Sequence, residues 1–121
     1  MIFQNYHRHS MFTNIRVSDC VTSNDDYAKR AKELGHGIIS ACEHGYQGRY
    51  IEGYELAKKY DLKFVFSVEA YWVKDRFEKD RTNCHIFLAA RNENGRQAIN
   101  DVLSEANITG YYGQARLDID L

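Results

Sequence analysis

A chain of 121 residues with 44% hydrophobic and 27% charged residues is long enough for one hydrophobic core and too short for two side by side, which excludes disordered and fibrous classes. The formal net charge of −1, with no long Lys/Arg run, excludes a general electrostatic grip on nucleic acid, so any DNA contact must be local. No stretch reaches the roughly eighteen apolar residues of a membrane span, and the start lacks the layout of a secretory signal, so the expected compartment is the cytosol.

In chain order, residues 2–6 read as a short strand that runs into the polar sequence His7-Arg8-His9-Ser10. A loop over residues 11–21 leads to Ser23, an N-cap with Asp26 three places on, and then to a helix carrying Tyr27, Ala28, Ala31 and Leu34. Gly35 and Gly37 stop it. Residues 37–41 form a second apolar strand followed by Cys42-Glu43-His44-Gly45. Residues 50–60 predict a helix with Ile51, Tyr54, Leu56 and Ala57 on its apolar side, and residues 62–71 a stronger strand with Glu69 near its end.

The charged stretch 73–83 reads as a loop, residues 85–90 as a strand, and Asn92 as the cap of a helix reaching about residue 106. After the Gly110-Tyr111-Tyr112-Gly113 turn, residues 115–121 alternate Leu117, Ile119 and Leu121 against Arg116, Asp118 and Asp120, as a strand with one wet side does. Strands separated by helices predict three βα units, an α/β domain with mostly parallel strands whose polar clusters share the rim at the strands' carboxyl ends.

His7 and His9, two apart on extended backbone, leave the same face and can approach one metal ion or two adjacent ones. A solvated strand end with incidental histidines is the competing reading. His44, Glu69 and His85 supply company: imidazoles with a carboxylate suit Zn, Mn or Fe, and a bridging Glu69 can serve two ions. His36, just after a helix, reads as a helix-end or core histidine. Cys20, Cys42 and Cys84 form no CxxC pair and leave an odd count, so they read as free thiols. Strand alternation turns Cys84 away from His85, which argues against a His/Cys zinc site. Arg8 points away from its flanking histidines and reads as a rim residue; Arg116 could reach a phosphate with its planar fork, or be an ordinary edge arginine.

Tyr6-His7-Arg8-His9-Ser10, Ser18-Asp19, Ser40-Ala41-Cys42-Glu43-His44-Gly45, Val68-Glu69-Ala70-Tyr71 and His85-Ile86-Phe87-Leu88-Ala89-Ala90 resemble, in order, the motifs of the PHP domain family, the histidine-rich phosphoesterase module of bacterial and phage DNA polymerase III alpha subunits. Arg91-Asn92-Glu93-Asn94-Gly95 and residues 111–118 favour the polymerase branch. The resemblance implies that residues 1–121 are the N-terminal part of a distorted (β/α)7 barrel, truncated to roughly its first half. It implies that His7, His9, His44, Glu69 and His85 are metal ligands, that Asp19 is a ligand or a close neighbour of one, and that Glu69, Asp19 and Arg116 serve catalysis. Asp19 could instead be a loop carboxylate capping turn amides.

The family site holds two or three ions, Zn or Mn with Mg as a further option, and fewer are expected here. The family's later His and Asp ligands have no counterpart after His85 in this sequence, and Glu43 stands where the family usually has Asp. The expected partners are the remainder of a polymerase III alpha-like chain or a separate completing polypeptide, with DNA reached through that assembly. The implied activity is phosphoester hydrolysis on DNA 3′ ends or pyrophosphate; the alternative is an inactive, metal-binding brace for a replicative polymerase.

Overall fold

The computed structural model describes residues 3–15 and 18–121. Three α-helices, α1 (Asn24–Glu33), α2 (Tyr50–Lys59) and α3 (Glu93–Thr109), and a short 3-10 helix (Met11–Ile15) within the expected loop accompany strands β1 (Ile38–His44), β2 (Lys63–Trp72), β3 (Cys84–Ala89) and β4 (Arg116–Leu117). Both expected caps form. The Ser23 hydroxyl accepts the Asp26 amide at 3.1 Å, and the Asn92 side chain accepts that of Gly95 at 2.9 Å, each satisfying a donor the helix start leaves open. The missing prolines leave α3 unbroken for 17 residues, three past the expected end.

The sheet runs β1-β2-β3, with β2 at its centre. β1 and β2 are parallel, joined by α2 in one βα crossover, and β4 adds two parallel residues opposite Tyr71 and Trp72. Two of the three pairings are therefore parallel, and the fold is a partial, open α/β sheet rather than a closed barrel. β3 departs from the expected βα series because it returns antiparallel on β2 after a loop without a crossover helix.

Of the first expected strand, Ile2 lies outside the described residues, and residues 3–6 form no ladder. Their segment nevertheless runs alongside β1. The Gln4 side chain accepts the amides of Gly37 and Ile38, Ser40 Oγ donates to Asn5 O, and the Cys42 amide donates to Arg8 O at 3.1 Å. Indices rise together, so the segment is parallel to β1.

All three α-helices cover one sheet face. Ala28, Ile39 and Ala57 pack under α1 and α2 with Phe64, while Val68, Ala70, Ile99, Leu103, Ala106 and Leu117 pack under α3. Ile99, Leu103 and Ala106 recur at four- and three-residue steps, the inward stripe of an amphipathic helix. On α2 the inward side differs from expectation. Ile51 is exposed, and Gly53 and Ala57 face the sheet. A Cβ on Gly53 would lie 2.6 Å from the Phe64 ring, so the large strand residue is accommodated by a missing side chain on the helix.

The carboxyl-terminal alternation does not hold, although Leu117 is buried as expected. Arg116 and Asp118 are buried while Ile119 is 81% exposed, and the strand is two residues long. Polar bonds decide it. Asp118 accepts the Arg76 amide at 2.9 Å and its guanidinium at 2.6 Å, and Arg116 reaches the backbone of the 76–80 loop.

Candidate metal centre

Even-numbered β2 residues (Phe64, Val68, Ala70, Trp72) enter the helix-side cores, so period two turns Ser67, Glu69 and Tyr71 to the other face. His44 is the register partner of Glu69, His85 of Tyr71, and Phe87 of Glu69, which places all of them on that same face. The antiparallel return of β3 is what brings His85 there, because the start of β3 lies beside the carboxyl ends of β1 and β2. A parallel strand would have carried it to the opposite rim.

The four imidazoles meet on one carboxylate. Glu69 Oε2 lies 2.7 Å from His7 Nε2 and 3.8 Å from His9 Nε2; Oε1 lies 2.9 Å from His44 Nδ1 and 2.8 Å from His85 Nδ1. His9 stacks on His44 with centroids 4.2 Å apart, and His7 stacks on Phe87 at 5.4 Å. The Glu69 side chain is 6% exposed and that of His85 55%, so the carboxylate forms the floor and His7 and His85 the mouth. Gly45, at φ 73°, turns the chain out of β1; a Cβ there would lie 2.8 Å from the Tyr71 ring.

These contacts are close without being hydrogen bonds throughout. His44 Nδ1 and Glu69 Oε1, though 2.9 Å apart, are buried without a hydrogen-bond partner, as is His9 Nδ1. Proximity without bonding geometry is what lone pairs show when they converge on a common point, and burying such atoms unsatisfied costs about 1–3 kcal/mol each. Ligand atoms of His7, His9 and Glu69 lie within 4.8 Å of one another, a possible metal site. The donor set of neutral imidazoles plus a carboxylate fits a divalent transition ion.

Asp19 joins through His44, with Oδ2 3.1 Å from Nε2. A proton assigned to Nε2 leaves Nδ1 as a free lone pair toward Glu69, the carboxylate–histidine arrangement that orients metal ligands. Asn14, which the sequence reading passed over, holds Asp19 in place: its side chain accepts the amides of Asp19 and Cys20 and donates to Cys20 O. Polar residues in a loop of such length were the available signal.

Other expectations change. Arg116 does not present a free fork for phosphate; its guanidinium donates to the carbonyls of Gly110, Glu78, Asp80 and Arg76 at 2.6–2.9 Å and is 2% exposed. Arg8 is no rim residue. It is buried, stacks over Tyr27 at 4.4 Å and donates to Asn24 Oδ1; burial pulls its pKa down to about 10 against the attraction of Glu43. Cys42 is a buried thiol pushed up to about 12 by burial and then by the charge of Glu69, so it stays protonated at neutral pH. Cys84 is exposed, and all three cysteines are free. His36 packs edge-on against Phe3 at 6.0 Å, away from the four clustered histidines. Glu43 is 1% exposed and bonds Ser10 rather than the cluster.

Comparison with known proteins identifies the family. The family model described as PHP domain matches residues 5–121. The DNA polymerase III subunit alpha of Aquifex aeolicus is 25% identical over 98% of this chain, and that of Helicobacter pylori strain 26695 is 31% identical over 75%. A PolC-type DNA polymerase III of Thermotoga maritima is 36% identical over 57%. The chain spans 11%, 8% and 5% of those three relatives. A crystal structure from Bifidobacterium adolescentis, provisionally described as a metal-dependent phosphoesterase, superposes with a TM-score of 0.58 at 17% identity, covering 87% of this chain and 33% of that one. At that identity the likeness concerns the fold.

Proposed function

Because the chain belongs to the PHP domain family, we propose that it is the metal-dependent phosphoesterase-type module of a DNA polymerase III alpha subunit, acting on DNA 3′ ends. The observation that carries this reading is Glu69, a nearly buried carboxylate with two imidazoles at each oxygen. His7 and His9 with Oε2, and His44 and His85 with Oε1, are the groups that would hold Zn or Mn, with Mg as a weaker fit to so many nitrogens. A bound divalent ion supplies Lewis-acid stabilisation of charge on phosphoryl and leaving oxygens.

The chain's own residues do the rest. Glu69 fixes the spacing between the two halves of the ligand set, and Asp19 holds His44 by its outer nitrogen. The Asp19 side chain is 39% exposed, which places it at the solvent edge of the site. Substrate approaches from the side of His7 and His85. There the half-exposed Phe87 ring, stacked on His7, offers an aromatic surface for an unpaired base, which favours a DNA end over pyrophosphate. Arg116 has no place in this reading, since its donors are consumed by backbone carbonyls.

A second reading, a metal-bound brace that supports a polymerase without hydrolysis, is favoured by Glu43, which stands where the family usually has Asp and is spent on Ser10. Nucleotide release from 3′-mispaired DNA, with Mn and with Zn, tests the two against each other, using this chain, a longer form carrying further His and Asp ligands, and Glu69→Ala versions of both. We expect little or no turnover by the 121-residue chain and turnover by the longer form that Glu69→Ala abolishes. A misplacement near 1 Å can cost about a hundredfold in rate, and a partial ligand set permits such errors. Robust turnover by the short chain would remove the need for further ligands; metal binding without turnover in either form would leave the brace.

A further inference from the structure

We propose that Glu43 is a positioning residue for the metal face, holding the His7–His9 segment to β1 through Ser10. This deepens the metal-site reading and rests on it. Glu43 lies on β1 beside His44, and strand alternation puts it with Ile39 and Ala41 on the helix side, where it cannot be a ligand of the same ion. Its carboxylate accepts the Ser10 amide at 3.2 Å and, through the other oxygen, the Ser10 hydroxyl in a short bond. Ser10 is fully buried and directly follows His9.

The contact is the middle one of three. Consecutive β1 residues each tie one residue of the leading segment: the Cys42 amide donates to Arg8 O at 3.1 Å, Glu43 takes Ser10, and the His44 amide donates to Thr13 Oγ1 at 3.3 Å. Ser10 O in turn accepts the Thr13 amide at 3.0 Å, closing the segment into a turn. Nothing else in the described residues ties the backbone directly after His9 to β1 through a side chain. The latch is thus one of three ties that set the register between the His7/His9 pair and His44, and the one made by a β1 side chain directly after His9.

A purely structural residue would be expected to be apolar here. Burying a carboxylate costs several kcal/mol before compensation, and the neighbours on this face are Ile39 and Ala41. Compensation is present, since the buried Arg8 guanidinium attracts Glu43 from the same leading segment. Charge and hydrogen bonds thus both pull residues 8–10 onto β1. The glutamate carboxylate spans from β1 to a neighbouring segment that forms no full ladder with it. Fixing the ligands before the ion arrives lowers the ordering cost of binding.

The test compares the chain with Glu43→Gln, Glu43→Asp, Ser10→Ala and the Ser10→Ala/Glu43→Gln double variant. Histidine ring resonances are recorded without ions, and Mn and Zn affinities are measured by calorimetry. Glu43→Gln and Ser10→Ala should each shift the His7 and His9 resonances, leave His85 in place and weaken ion affinity about 10- to 100-fold. The double variant should be no worse than the worse single, because both break one contact. Glu43→Asp, one methylene short, should fall between wild type and Glu43→Gln. Unmoved His7 and His9 resonances with unchanged affinity, or strictly additive losses, would overturn the proposal. Should Glu43→Gln fail to fold, Ser10→Ala carries the same readouts. If the unaltered chain binds no ion, the metal reading fails, while the ion-free resonances still decide whether Glu43 positions His7 and His9.

Discussion

Two buried polar regions of this molecule are built on opposite terms. Around Arg116 and Asp118, nearly every donor meets an acceptor: four loop and turn carbonyls receive the Arg116 guanidinium, and Asp118 receives two bonds from Arg76 and the amide of Asp120. Around Glu69, four imidazoles crowd one carboxylate, yet His9 Nδ1, His44 Nδ1 and Glu69 Oε1 find no hydrogen-bond partner. Saturation marks a region whose task is to hold a loop. Unmet bonding capacity marks a region prepared for something else, since an unsatisfied buried group persists in a stable fold when another demand retains it.

The largest effect should come from emptying the saturated region. Arg116→Ala strands four carbonyls that the guanidinium now serves, and we expect a loss of about 3 kcal/mol or more, a large share of a small domain's stability. Urea unfolding of Arg116→Ala and of the milder Arg116→Lys measures it. Ion affinity of the Lys variant should match the unaltered chain; a parallel loss of affinity would return Arg116 to the site and erase the contrast.

The converse change is Glu69→Gln. Removing the carboxylate from among the imidazoles should leave ion-free stability unchanged or raised, because the region is poorly satisfied without an ion. It should abolish the stabilisation that ions confer, about 2.7 kcal/mol at a hundredfold excess over Kd. Melting with Mn, with Zn and with chelator decides this. Equal ion-induced shifts in wild type and Glu69→Gln would mean that the clustered imidazoles are not a metal site.

The contrast also explains what sequence could and could not reveal. Caps at Ser23 and Asn92, the strand cores and the order of His7, His9, His44, Glu69 and His85 are local or motif-level signals, and they were readable. The antiparallel direction of β3 was not, because an apolar run of six residues looks the same in either direction and the 73–83 connection carries no helix pattern. Arg116 and Asp118 misled the alternation rule: partners forty residues upstream in the 76–80 loop drew them inward and pushed Ile119 out. Arg8 was misjudged for the same reason, since its burial depends on Tyr27 and Asn24 of α1, which are distant in sequence. Tertiary polar bonds were the missing information in each case.

Acid should separate the regions on a smaller scale. Burial pushes the Asp118 carboxyl up, but the Arg76 amide and guanidinium outweigh it and hold it below the usual carboxylate range. A carboxyl depressed in the folded state stabilises the fold fully above the unfolded value of about 3.9, and that contribution is lost as pH falls through the lower folded value. Asp118→Asn should therefore reduce stability at neutral pH and flatten the decline between about pH 4 and pH 2. An unchanged acid limb would show that Asp118 is not the group that feels the pH.

The smallest effect concerns the thiols that flank the unsatisfied region. Cys42 shares β1 with His44, is fully buried and is pushed up to about 12, whereas Cys84 precedes His85 on the outer strand and is exposed. Alkylation needs the thiolate and a path to it. Iodoacetamide at neutral pH should modify Cys84 readily and leave Cys42 untouched until the chain is unfolded, as peptide mass spectrometry reads directly. An added ion should change neither rate by much, because neither sulfur belongs to the proposed ligand set and the surrounding sheet is formed without it. Protection of Cys84 by Zn but not by Mn would instead indicate that its sulfur turns inward to a soft ion, and the division between a nitrogen-and-carboxylate centre and an inert thiol border would have to be redrawn.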